Sequence, residues 1–333
     1  MSLSLETCRL CPRRCGVDRS AGGTGICAQS AVVKLARAAL HFWEEPPISG
    51  TSGSGTVFFS GCPLHCVYCQ NVEIANGGVG RSVTVERLAQ IFLEEEARGA
   101  RNINLVTPTH YVPQIVEALD LAREGKVAPR DEMLAAVERE GSRFPYARLD
   151  VKRLDVPVVY NSGGYESVET IEALRGHVDV YLPDFKYASR ELARRYSHAP
   201  DYPEAASAAL DAMYASVGPC RFEASKVDGE ESLVSGVIVR HLMLPGRLDD
   251  SKRVVDVLAA KPYAQDMWVS LMSQYTPMPG VGERFPELAS TVDAGEYDEL
   301  VDYALERGLE NSYMQEGGAA EESFIPAFDC EGV

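Results

Sequence analysis

Residues 61–71 read GCPLHCVYCQN, which spaces Cys62, Cys66 and Cys69 as C-x3-C-x2-C. A cubane iron–sulfur cluster takes about four thiolates, one per iron, and a structural zinc ion also takes about four ligands. No fourth cysteine lies near, so one coordination position is left to His65, to His110 or to a molecule from outside. An open position is what substrate or cofactor binding at a metal requires. The blander alternatives are a zinc ion held by three cysteines and one histidine, or three unrelated buried thiols. Pro63 and bulky apolar residues make the loop compact, and Tyr68 stands just before the last cysteine, placed to lie against a planar ligand group.

A second set, CRLCPRRCGVDRSAGGTGIC, spaces Cys8, Cys11, Cys15 and Cys27 as C-x2-C-x3-C-x11-C. Four thiols suit a closed zinc site or a second, fully ligated [4Fe-4S] cluster, and thiolate softness suits both metals. Arg13, Arg14 and Arg19 among them would offset the thiolate charge. A cluster here would relay electrons to the triplet; zinc would only staple a region too short to fold on its own core. Cys220 and Cys330 stand alone and read as ordinary buried thiols.

These residues need elements to position them. Short β-branched or aromatic runs at 57–60, 102–106, 157–161, 178–182, 237–243 and 268–274 are bounded by Gly, Pro, Asn or Asp and read as strands. Helical periodicity lies between them. In TVERLAQIFLEEEARGA, for instance, Thr84 reads as N-cap, Val85, Leu88 and Phe92 share a face, and Gly99 ends the helix. Six strands alternating with helices predict an α/β fold of parallel strands with right-handed crossovers, barrel-like or doubly wound. Either arrangement keeps its chemistry at the C-terminal strand ends, and the triplet begins just after the first of them. Residues 1–45 form a Cys-rich metal-binding region, 46–285 the core with a charged insertion at 125–156, and 286–333 an acidic C-terminal extension.

The net charge of −17 argues against nucleic acid as the main partner. The extension carries thirteen acids against one arginine and reads as a solvated surface, whereas the first 45 residues carry six bases against four acids. No apolar run approaches the ~18 residues that span a membrane, and no basic stretch followed by an apolar one opens the chain, so the expected place is the cytosol, without membrane association. In a reducing compartment, clustered cysteines read as metal ligands rather than disulfides. Gly50–Gly55 (GTSGSG) lacks the Gly-Lys-Ser/Thr ending of a phosphate loop and precedes a strand, so it reads as a flexible lead-in.

The triplet with its aromatic, placed after the first strand of an α/β chain, resembles the radical S-adenosylmethionine superfamily. GTVFFSGCPLHCVYCQN, YNSGGYE, YLPDFKY and VRHLMLPG are similar to strand ends of the pyruvate formate-lyase activating enzymes. CRLCPRRCGV and NINLVTPTHY resemble related proteins of that group; the likeness spans about residues 50–280. It implies a partial (β/α)6 barrel and a [4Fe-4S] cluster on Cys62, Cys66 and Cys69 whose open iron binds S-adenosylmethionine. One electron then cleaves the sulfonium, and the resulting 5′-deoxyadenosyl radical takes a hydrogen atom from a small molecule or from a glycine of a partner enzyme. A low-potential donor of flavodoxin or ferredoxin type and anaerobic conditions are implied as well.

A bound S-adenosylmethionine needs partners for its ammonium, carboxylate and ribose. Thr107 and Thr109 stand where the activators carry Gly-Gly-Glu, so hydroxyls or carbonyls would replace the acid there. Asn161 would accept from the ammonium. Asp184 and Lys186 share a strand face, with Lys186 facing the carboxylate and Asp184 the ribose; the alternative is a mutual surface ion pair. Arg240 and His241 are adjacent, so only one of them faces inward. The rival to an enzyme is a non-catalytic electron-transfer or metal-binding protein with iron–sulfur or zinc at its two cysteine sets.

Overall fold

The computed structural model describes residues 3–314 and 326–333; residues 315–325 of the acidic extension lie outside the described residues. Among the described residues ten strands follow in order: β1 (Val33–His41), β2 (Ser54–Phe59), β3 (Arg81–Val83), β4 (Ile103–Val106), β5 (Val158–Ser162), β6 (Val180–Pro183), β7 (Arg221–Ala224), β8 (Glu231–Leu242), β9 (Trp268–Met272) and β10 (Ser312–Met314). They form one sheet in the order β10-β9-β8-β6-β5-β4-β2-β1-β3, with β7 paired to β8.

The run from β2 to β9 is parallel throughout. These six strands coincide with the six periodic runs read from the sequence, and the fold is a partial (β/α)6 barrel. β1 and β3 extend one edge in antiparallel fashion, and β10 extends the other in parallel. Helices link the parallel strands, as right-handed crossovers require. The helix Val85–Ala97 starts where Thr84 Oγ1 accepts from Arg87 N, and Gly99 follows its end at φ +96°. Its buried face includes Leu88, Phe92 and Leu93, packed on the sheet.

The lower end of the barrel is filled by a segment that precedes β2. The short helix Pro46–Ser49 puts Ile48 among Val159, Val180, Leu182 and Ile238. Asn102 Nδ2 donates to Ile48 O at 2.7 Å, while Ser54 Oγ donates to Asn102 Oδ1 at 2.6 Å. The Asn102 side-chain amide is thus satisfied at both ends, which pins the plug to the start of β4.

The insertion at 125–156 contributes the helix Asp131–Arg139, which buries Met133 and Val137 against the outer layer. Arg130 and Arg87 both bond the buried Glu94 carboxylate, tying insertion to barrel helix. Part of the acidic extension departs from a solvated surface. The helix Ala294–Glu306 buries Tyr297, Leu300 and Ala304, and β10 is built into the sheet, because apolar residues at helical spacing are interleaved with the acids. Residues 326–333 return to β1, where Cys330 N donates to Ala36 O at 3.0 Å and Ala38 N to Glu331 O at 2.8 Å.

Candidate functional site

At the C-terminal ends of the parallel strands a cavity of about 260 Å³ opens. The loop after β2 makes one wall, with Cys62, Cys66, Tyr68 and Cys69 lining it. Two left-handed residues shape that loop: Gly61 at φ +90° and His65 at φ +51°. A β-carbon at Gly61 would lie 2.4 Å from Cys27 O, so only glycine fits. The histidine's strained backbone is held by its ring, which bonds Ile26 O at 2.6 Å and Asn76 Oδ1 at 3.3 Å.

Donors converge on the triplet sulfurs. Leu64 N donates to Cys62 Sγ at 3.4 Å and Ser197 Oγ to Cys66 Sγ at 3.0 Å. Burial pushes the Cys62 thiol up to about 11 and that of Cys69 to about 12, each raised further by neighbouring thiols and lowered by Lys186. A metal that takes these thiols as thiolates would release their protons on binding. The donor set of N–H, O–H and a nearby ammonium fits such an anionic cluster.

Neither histidine completes the set. His65 is engaged as above, and His110 is buried with Nε2 against Ser60 O at 2.7 Å; burial drops its imidazole to about 3. Among the described residues no group of three or more Cys, His, Asp or Glu closes on a position for a single metal ion. The position beside the triplet stays free of a fourth side chain from either histidine.

Opposite the cysteines stand Asp184, Lys186, Asn161, Thr107 and Arg240, all lining the same cavity. Lys186 Nζ donates to Asp184 Oδ2 at 2.5 Å, with the two side chains 16% and 18% exposed. They are thus paired, but at the mouth of a cavity rather than on open surface. Burial opposes the charge on Lys186, yet Asp184 and Cys66 outweigh it and raise its pKa above the ordinary lysine value. Burial likewise opposes charge on Asp184, and Lys186 and Arg240 hold it below the usual carboxylate value.

Strand alternation turns Arg240 inward and His241 outward. Arg240 bonds Asp184 Oδ1 at 3.0 Å, Glu44 Oε2 at 3.1 Å and Asn161 Oδ1 at 2.5 Å. His241 bonds Phe185 O and Ser251 Oγ away from the cavity. Glu44 also accepts from Asn104 Nδ2 and Asn161 Nδ2, so the floor of the cavity is one ionic network.

Thr107 lines the cavity in a left-handed conformation, φ +57°, which a β-branched residue adopts only under strain. Thr109 does not join it. Its side chain is buried and donates to Glu166 Oε1 at 2.6 Å, because the turn after β4 directs it into the core. Tyr68 presents its ring to the cavity, while its hydroxyl pairs with Tyr187 OH at 2.6 Å.

Several residues escape a reading by motif. Glu44 precedes the first barrel strand, and the only signal is the pair of acids before Pro46-Pro47 in an otherwise basic stretch. Ser197 lies on an outer helix, Arg190–Ser197, with no spacing relation to the triplet.

The N-terminal cysteines pack on the back of the triplet loop. Cys8 and Cys27 are buried, Cys11 half-buried and Cys15 exposed. Arg13 Nε donates to Pro63 O at 2.8 Å, and its Nη2 to Ser197 O at 2.9 Å, so it clamps the residue after Cys62 and the residue that bonds Cys66.

A six-stranded parallel barrel with a cysteine-walled mouth defines the class. Residues 56–219, about half of the chain, match the family model of the Radical SAM superfamily. It is 25% identical over 318 residues to the uncharacterized protein MJ0674 of Methanocaldococcus jannaschii, covering 92% of this chain and 77% of that one. Among solved structures it is similar to Streptococcus suis SuiB bound to S-adenosylmethionine (11% identity, 77% of this chain, 48% of that one, TM-score 0.43). A second is the FeFe-hydrogenase maturase HydG of Carboxydothermus hydrogenoformans (13% identity, 81% of this chain, 55% of that one, TM-score 0.38). The chain spans about half the length of these two structures.

Proposed function

We propose that the chain is a radical S-adenosylmethionine enzyme whose Cys62, Cys66 and Cys69 hold a [4Fe-4S] cluster with one iron open to the cofactor. The observation that carries this reading is the opening of all three triplet cysteines and the Asp184–Lys186 pair into one cavity. When bound, the cluster supplies the single electron that cleaves S-adenosylmethionine reductively.

The chain's own residues bind and orient. Lys186 offers its ammonium to the cofactor carboxylate, and Asp184 accepts from ribose hydroxyls while Arg240 holds it ionised. Asn161 and the Thr107 hydroxyl or carbonyl face the ammonium end. The Tyr68 ring walls the cavity beside the last two cysteines and helps exclude water.

For the hydrogen donor we propose a glycine of a partner enzyme, supported by the resemblance of YNSGGYE, YLPDFKY and VRHLMLPG to activating-enzyme strand ends. A low-potential one-electron carrier, of flavodoxin or ferredoxin type, would be the reductant.

Anaerobic reconstitution with iron and sulfide tests the chemistry. Dithionite with S-adenosylmethionine should release 5′-deoxyadenosine, and Cys66→Ala should abolish release. Full metal loading without any release would instead favour a non-catalytic electron carrier. Deuterium in the released 5′-deoxyadenosine, after feeding glycine-labelled protein or labelled small molecules, identifies the donor.

A further inference from the structure

Arg19 is 1% exposed, and its guanidinium sits among carbonyls: Gln29 O at 3.1 Å, Ser30 O at 2.6 Å and His110 O at 2.5 Å. Its remaining polar neighbour is Cys8 Sγ at 3.9 Å. Among the described residues no carboxylate reaches it within ion-pair distance. A buried cation without a counter-charge costs several kcal/mol. The groups able to supply that charge are the cysteines of this set, with Cys8 nearest, once they are thiolates on a metal.

The backbone already organises those cysteines. Cys8 N donates to Val17 O and Gly16 N to Cys8 O, both at 3.0 Å, closing a loop around Cys11 and Cys15. A β-carbon at Gly25 would lie 2.5 Å from Cys15 Sγ, so the glycine makes room for that sulfur. The set also touches the triplet loop at three points: Cys27 O against Gly61, Ile26 O on the His65 ring, and Arg13 on Pro63 O. Cys27 is thus packed beside the residue that precedes Cys62, while Cys15, flanked by exposed Arg14, faces solvent.

We propose that Cys8, Cys11, Cys15 and Cys27 hold a second, fully ligated [4Fe-4S] cluster that carries electrons from the surface at Cys15 to the triplet beside Cys27, with Arg19 as its buried counter-ion. The inference rests on the triplet being the catalytic cluster. The step moves one electron in from a low-potential one-electron donor and one electron out to the triplet; no bond or proton changes. Basic Arg9 and Arg14 on the exposed side suit a donor with an acidic face.

The test uses the full chain, reconstituted anaerobically with iron and sulfide. The wild type should hold about eight irons and the Cys62→Ala/Cys66→Ala/Cys69→Ala variant about four, with a [4Fe-4S] signal that S-adenosylmethionine leaves unchanged. Cys15→Ala should remove about four irons and slow reduction of the remaining cluster by dithionite at least tenfold, while S-adenosylmethionine still perturbs that cluster's spectrum. A triple variant that binds zinc and no iron overturns the relay and leaves the triplet assignment standing. A wild type with about four irons, all kept in the triple variant, overturns the triplet instead. Wild-type reduction kinetics in a Cys15→Ala protein that has lost its second cluster would also sink the relay.

Discussion

Ser197 Oγ donates a hydrogen bond to Cys66 Sγ at 3.0 Å and in turn belongs to a buried chain through Tyr187 OH, at 2.8 Å, to Tyr68 OH. The same serine's carbonyl accepts from Arg13, so the central cysteine of the triplet is braced by a residue from the N-terminal region. Hydrogen bonds to a ligating sulfur stabilise the reduced, more negative cluster and raise its potential. Ser197→Ala should therefore move the midpoint of the triplet cluster to a more negative value. A tenfold change in the one-electron equilibrium corresponds to about 59 mV. Potentiometric titration followed by EPR measures this, and Ser197→Thr, which keeps the hydroxyl, should restore the wild-type midpoint.

Lys186 pairs with Asp184 and interacts electrostatically with Cys66 and Cys69 across the cavity. Lys186→Met leaves Asp184 paired with Arg240, so the floor keeps its structure. The loss should fall on the cofactor carboxylate. Removing one partner of a buried charge pair costs about 2–5 kcal/mol, so the Kd for S-adenosylmethionine should rise at least ~30-fold. Isothermal titration on the reconstituted protein reads this directly.

Arg240 joins three strands and the plug through Asp184, Asn161 and Glu44. Arg240→Met would strand Glu44, whose pKa burial already raises against the pull of this arginine. Breaking a buried pair from one side costs about 3–5 kcal/mol. Urea unfolding should show a loss of that size, and Glu44→Gln in the same chain should recover part of it.

Glu166 gives the fold a pH signature. Burial raises its carboxyl from 4.5 to about 7, against the pull of hydrogen bonds from Thr109, Tyr160 and Ser162. In the unfolded chain it ionises near 4.5, so between the two values the native state holds a proton that the unfolded state has lost. Its contribution is present in full below pH 4.5 and disappears as pH rises through about 7, by a total on the order of 3 kcal/mol. Glu166→Gln should flatten that part of the stability–pH profile, as measured by thermal unfolding at fixed ionic strength.

The barrel was legible because its strands are buried on both faces and read as short apolar runs between turn residues; β5 and β6 fall within two residues of their expected bounds at every end. β1, β3 and β7, which set charged residues among their apolar ones, and β10, only three residues long, were not, because they lack that contrast. At the site, alternation correctly put Asp184 and Lys186 on one face. Thr109 defeated the same logic, because it lies past the strand in a 3-10 turn, Thr109–Tyr111, where a period of two no longer holds. Glu44 bonds Arg240 and Asn161, and Ser197 bonds Cys66, through tertiary packing that leaves no spacing in the chain to read.

The plug around Ile48 makes the molecule a cup and not a tube. On the proposed function, cofactor and hydrogen donor would then approach from the cysteine-walled side and not through the floor.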